Sequence, residues 1–81
     1  MPTALELLIG ERRARILESL TTPKTTGETA AAAGIALSTA SEHLHDLTVA
    51  GVVDRFRSGR SVNYVLTDTG RRLVDEFGRS V

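Results

Sequence analysis

The 81 residues include no cysteine, so neither a disulfide nor a thiolate metal site can hold the chain together. Tryptophan is missing too, and the aromatics are only Phe56, Tyr64 and Phe77. The core must therefore be aliphatic. No apolar run approaches the roughly 20 residues of a membrane span, and no signal-peptide pattern opens the chain. A cytoplasmic protein with no membrane association is the expectation. Net charge is absent as well: ten Lys and Arg balance ten Asp and Glu. The chain thus lacks the broad basic excess of nonspecific nucleic-acid binders. No nucleophile sits on a strained glycine elbow, and no enzyme is expected. The length predicts one domain, over residues 3–78, near the lower end of what a single core supports. A partner surface would be a natural source of further burial.

The charges that exist are unevenly placed. Arg55, Arg57 and Arg60 put three positive charges in six residues with no acid among them. Residues 38 to 51 hold Glu42 and Asp46 and neither Lys nor Arg. Any positive field lies beside that stretch, not on it.

Taken in order, the chain reads as short helices followed by a hairpin. Ala4 to Ile9 is an apolar run ended by Gly10, either a helical turn or the start of a longer helix bent at Gly10. Glu11 to Leu20 predicts a helix, with Ile16, Leu17 and Leu20 as its buried stripe and Ala14 behind. Arg12, Arg13 and Arg15 point mostly outward, as a solvated face or as contacts to phosphate or to a dimer partner. Pro23 ends the helix region. Thr25-Thr26-Gly27-Glu28 has the form of a capping box and opens a helix that runs to Ala33 and closes at Gly34. Its four alanines favour helix and allow close approach of a neighbour.

Val52 to Arg57 and Ser61 to Leu66 read as two strands around Ser58-Gly59-Arg60, a hairpin signal. Alternation of Val62, Tyr64 and Leu66 predicts one strand face on the core. Thr67 suits an N-cap and Asp68 the positive end of a helix dipole. Leu73, Val74 and Phe77 would form the inner face of this last helix, ended by Gly78.

Residues 34 to 47 organise the rest. Leu37, Ala40, Leu44 and Leu47 recur at spacings of three and four and predict one inner face. Ser38, Ser41, Glu42 and His45 lie on the other, with Thr39 at its edge. The helix would run from about Leu37 to Ala50, closed by Gly51. Ala36 stands where a capping Ser or Asp is usual, and Ser38 is an alternative cap. A turn, then a helix with small polar groups outside, is what a helix laid in a DNA major groove requires. The predicted order is helix, helix, helix, hairpin, helix. This is a mainly α fold with a small β-hairpin, a winged helix-turn-helix.

These pieces together resemble the DNA-binding domain of the ArsR-type (arsenic-repressor-like) bacterial transcription regulators, over about residues 5 to 77. The match is carried by Leu8, Gly10, Arg13 and Ile16-Leu17, by Thr25-Thr26-x-Glu28, and by Ala30 with Gly34-Ile35. It continues through residues 38 to 44, Leu47 and Ala50-Gly51-Val52-Val53, then Gly59-Arg60, Val62-x-Tyr64-x-Leu66-Thr67 and Gly70. The resemblance implies a homodimer that binds a short inverted repeat in double-stranded DNA and represses transcription. The helix around 37–50 would lie in the major groove and the 57–61 wing on the backbone or minor groove. Ser38, Thr39, Ser41 and His43 fall where the family contacts DNA, and Arg57 and Arg60 on its wing; Thr25 and Glu42 complete the candidate contact set. Dimerisation would use the first and last helices, through Leu5, Leu8, Ile9, Val74 and Phe77.

Departures from the family pattern carry their own expectations. Thr29 and Ala33 stand where leucines are common, so the second helix should pack thinly. Glu42 stands where a basic residue is frequent; a carboxylate there can accept from a cytosine amino group but repels phosphate. The metal chemistry of the family does not carry over. There are no thiolates, and His43 and His45, two apart on a helix, diverge and cannot chelate one ion. No cofactor or metal is expected, and the sequence names no effector. His43 reads either as a locally bonded helix residue or as a phosphate contact, and His45 as exposed. The acidic recognition helix and zero net charge leave a second reading, a winged-helix module that binds protein and not DNA.

Overall fold

The computed structural model describes residues 1–78. Five helices and one hairpin follow in order: α1 (Ala4–Ile9), α2 (Glu11–Ser19), α3 (Thr26–Ala33), α4 (Leu37–Val49), β1 (Val53–Ser58), β2 (Ser61–Leu66) and α5 (Asp68–Phe77). The apolar run before Gly10 is thus a helix of its own, one more than the predicted order of elements. Thr3 caps it by accepting from the Glu6 NH at 3.2 Å. Gly10 has φ of 91°, open to glycine and strained for other residues. That one residue closes α1 through its NH on the Glu6 carbonyl and opens α2 through its own carbonyl, which accepts from the Ala14 NH.

The core is aliphatic. Leu5, Ala14, Ile16, Leu17, Leu20 and Leu44 are fully buried, with Val53, Ala33, Leu47 and Leu66 nearly so. Each large member contributes roughly 1.5–3 kcal/mol of transfer free energy. The predicted stripe of α2 is therefore the central layer, with α1, α3, α4 and α5 all packed on it.

The alanine-rich α3 is held at both ends by specific bonds. Thr25 accepts from the Glu28 NH at 3.2 Å, and the Glu28 carboxylate accepts from the Thr25 NH at 2.9 Å. This is the predicted capping box. At the other end Gly34 adopts the left-handed conformation, and Arg15 of α2 donates to the Ala33 carbonyl at 3.2 Å. Arg15 also pairs with Glu11, so it is a helix clamp as well as a solvated cation. Thr29, unusual for a core position, is completely buried. Its hydroxyl donates to the Thr25 carbonyl at 2.8 Å, which removes the cost of burying an unpaired polar group. Thr29 and Ala33 make α3 a thin element in which the small side chains themselves form the packing surface.

The hairpin starts one residue later than the sequence indicated. Its register pairs Val53 with Leu66, Arg55 with Tyr64, Arg57 with Val62 and Ser58 with Ser61. The loop is thus two residues, Gly59 and Arg60, with Gly59 at φ 62°, as a tight hairpin requires. The expected core face of β2 holds at its inner end: Leu66 is buried and Tyr64, half-buried, packs against the core, whereas Val62 nearer the tip is half-buried outside it. Val53 and Leu66, paired at the base of the hairpin, are its buried residues, and burial falls off toward the tip. An unpredicted bridge braces it. Lys24 NH donates to the Tyr64 carbonyl and Tyr64 NH to the Lys24 carbonyl, at 3.0 and 2.8 Å.

The last helix begins at the predicted cap. Thr67 accepts from the Gly70 NH at 3.0 Å and donates to the Gly51 carbonyl at 2.8 Å. One hydroxyl therefore starts α5 and ties it to the end of α4. Leu73 and Val74 pack on the core, while Phe77 lies at its edge, 37 % exposed.

Candidate nucleic-acid interface

Residues 26 to 49 form a helix, a three-residue turn and a second helix. Gly34 reverses the chain; its NH and that of Ile35 return to the carbonyls at the end of α3. Ala36 is extended and makes no side-chain cap bond. Ser38 is therefore not the cap, since α4 starts at Leu37, and its hydroxyl stays exposed. Ala40, Leu44 and Leu47 face the core as predicted.

Leu37 does not. It is 59 % exposed, although its spacing to Leu44 puts both on nearly one side of the helix. The periodicity is right and the burial is wrong, because the first turn of α4 projects past the elements that cover its middle. Exposed Ala36, Leu37 and Ser38 form that projecting tip.

Ser38, Ser41, Glu42 and His45 share the outer side of α4 and are all exposed. Thr39 and His43 occupy the flank turned to α2 and are half-buried. Arg13 Nε donates to His43 Nδ1 at 3.4 Å, so His43 has a local partner, and Arg13 is not simply a solvated cation. An open cleft of about 530 Å³ beside this pair is lined by Arg12, Arg13, Arg15, Gly34, Ile35 and His43 among others. Thr25 is half-buried, and its hydroxyl is occupied with the α3 cap.

On the other flank α4 faces the hairpin. Ser41, His45, Thr48 and Val49 line an open cleft of about 420 Å³ together with Arg55 and Tyr64. His43 and His45 therefore diverge toward different neighbours. In sequence Arg55 is only one member of a charge cluster, yet it lies directly beside the outer residues of α4. The signal for it is its spacing from Arg57: alternate residues of a strand share a face. Arg57 and Arg60 are exposed near the tip of the ribbon. The outer side of α4 and this ribbon are thus joined through one cleft, with the acids on the helix and the cations on the ribbon.

The residues expected at a partner surface fall into buried, half-buried and exposed sets. Leu5 is fully buried inside this chain, so it is a core residue, and its expected place at the interface is corrected. Leu7, 75 % exposed, lies across the short helix from it, whereas Leu8, three residues on from Leu5 and next to it on the helix surface, is still 61 % exposed. Ile9 and Val74 are half-buried against the core. Leu7, Leu8 and Phe77 are what remains apolar and open at α1 and α5. Among the described residues no helix is long and apolar enough to cross a membrane.

Comparison with known proteins agrees with this architecture. A family model described as a helix-turn-helix domain matches residues 11–55. No curated protein matches the chain in sequence. Among solved structures, a MarR family transcriptional regulator from Silicibacter pomeroyi superposes with a TM-score of 0.80 at 26 % identity, over 88 % of this chain and 51 % of that one. MepR, a transcription regulator of the Staphylococcus aureus multidrug efflux pump MepA, gives 0.80 at 26 %, over 89 % and 58 %. The homodimeric winged helix-turn-helix DNA-binding domain of Mb0332 from Mycobacterium bovis, described as "a possible ArsR-family transcriptional regulator", gives 0.76 at 30 %, over 88 % and 68 %. This chain spans about half the length of the MarR family regulator it resembles. With the model covering more than half of its residues and the hairpin in place after the second helix, the chain belongs to the helix-turn-helix domain family, in the winged form found in DNA-binding transcription regulators.

Proposed function

We propose that this protein is a dimeric, sequence-specific DNA-binding regulator of the ArsR type that represses transcription from a short inverted repeat. The observation that carries the reading is the exposed outer side of α4, with Ser38, Ser41 and Glu42, placed next to a ribbon bearing Arg55, Arg57 and Arg60. Helices of this kind enter the major groove by their first turns, and basic ribbons beside them meet the phosphates. Ser38 and Ser41 offer hydroxyls to base edges, and Glu42 accepts from an exocyclic amino group. Arg57 and Arg60 supply the positive field that α4 lacks. Thr39, His43 and Thr25 act from the flank, by positioning α4 and meeting the backbone.

The dimer brings together α1 and α5 of two copies, through Leu8 and Phe77 with Ile9 and Val74 at the rim. The ArsR assignment is supported by the residue pattern from Ser38 to Val53 and by the similarity to the mycobacterial domain, itself a homodimer. Repression follows from the family resemblance.

A second reading is favoured by one observation: α4 carries Glu42 and Asp46 and no cation. A surface of that charge suits a basic protein partner. Selection from a randomised DNA pool at about physiological ionic strength separates the two, because nonspecific contacts are screened there. An enriched inverted repeat with half-sites about one helical turn apart is the expected result. No enrichment by a folded protein would favour the protein-binding module.

A further inference from the structure

We infer that Leu37 reads the C5-methyl group of a thymine in each half-site. The inference rests on the DNA-reading function proposed above and names part of what that helix recognises. Between Lys24 and Arg55 the chain contains neither Lys nor Arg. The helix turn that reaches deepest into a groove therefore has no guanidinium or ammonium for the O6 and N7 of guanine, the commonest specific contact. What it presents is Ala36 and Leu37, followed by the Ser38 hydroxyl.

Leu37 is the one large apolar side chain on this tip, and it is 59 % exposed. Its neighbours on the wheel, Ala40 and Leu44, are fully buried, so its exposure comes from the projection of the first turn and not from an outward-facing register. Ser41, one turn along on the same side, lies in the cleft shared with Arg55. Leu37 and Ser41 thus form a row that continues toward the ribbon. The only apolar group on any base edge of the major groove is the thymine methyl. An aliphatic side chain in that position gains by covering it and has no polar atom with which to read anything else.

The experiment substitutes deoxyuridine for each thymidine of the selected operator in turn. This removes the methyl group and leaves every hydrogen-bonding edge intact. Affinities are measured by fluorescence anisotropy for the wild type and for Leu37→Ala. One position per half-site should weaken wild-type binding about three- to fivefold, as loss of one methyl contact predicts. The same replacement should leave Leu37→Ala unchanged. Because Leu37 is exposed, the variant should melt at the wild-type temperature, and a Leu37→Met protein should keep part of the thymine preference.

Tolerance of uracil at every position by the wild type would overturn the inference. So would an equal loss on uracil DNA for wild type and Leu37→Ala. Failure to select any operator would instead remove the DNA-reading function itself, and this contact with it.

Discussion

Gly70 lies directly on the backbone of Val52: a β-carbon built at position 70 would stand 2.0 Å from the Val52 carbonyl oxygen. Neither partner can yield cheaply, since one is the first turn of α5 and the other the junction between α4 and β1. The Val52 carbonyl also accepts from the Thr67 NH at 3.1 Å. Gly70→Ala should therefore destabilise the protein by about 2–3 kcal/mol, in the range of overpacked cores. That corresponds to a fall of about 10–20 °C in melting temperature for a domain of this size. Thermal unfolding followed by circular dichroism tests it, and a wild-type melt would show that α5 can slide.

Leu5 and Leu8 are neighbours on a six-residue helix, yet they should fail in different assays. Leu5→Ala empties a fully buried site and should cost about 2–5 kcal/mol, read by urea unfolding. Leu8→Glu changes an exposed residue and should leave the folded chain's circular dichroism intact. It should shift sedimentation at micromolar concentration from dimer to monomer. A monomer in the wild type, under the same conditions, would rule out the α1–α5 interface.

The wing and α4 should also separate experimentally. Arg60→Ala should weaken binding to all DNA sequences alike and reduce the steepness of the salt dependence by about one counterion. Arg55→Ala should behave in the same way, because Arg55 lies on the same ribbon and lines its cleft with α4. Ser41→Ala should instead change which base is preferred at one operator position while leaving the salt slope alone. Titrations at several salt concentrations against selected and scrambled DNA distinguish the two patterns.

Glu28 gives the fold a defined acid sensitivity. Its carboxyl is held below the ordinary glutamate value of 4.5, first by the Thr25 backbone NH, then by the Thr25 hydroxyl and the Lys24 charge. A lowered carboxyl value means that the ionised form favours the folded state. Its stabilisation is complete above the ordinary value and disappears as pH falls through the lowered one. Urea unfolding from pH 6 to pH 3 should show this loss in the wild type, and it should be missing from Glu28→Gln. Thr25→Ala removes the other half of the box and should cost about 1 kcal/mol at neutral pH.

Much of this protein is written in local pattern. The α2 stripe, the capping box over Thr25 and Glu28, the Thr67 cap and the two strands around Gly59 each depend on residues within a few positions of one another. Backbone hydrogen bonding and side-chain periodicity are local there, so those elements and their order are legible in the chain alone. Where each element stops being covered is a matter of how the elements pack. Leu37 and Leu44 have equivalent spacing but opposite exposure, because one lies on a projecting turn. Val62 and Tyr64 alternate alike, but Tyr64 packs on the core and Val62, nearer the tip of the ribbon, does not. Leu5 and Leu8 look alike in an apolar run and are neighbours on the surface of their helix, yet only Leu5 is covered. The Lys24–Tyr64 bridge and the Arg15 bond to Ala33 join residues distant in the chain, so no local pattern announces them. Burial depends on which other element arrives over a residue, and that is a property of the assembled packing and not of any short stretch of chain.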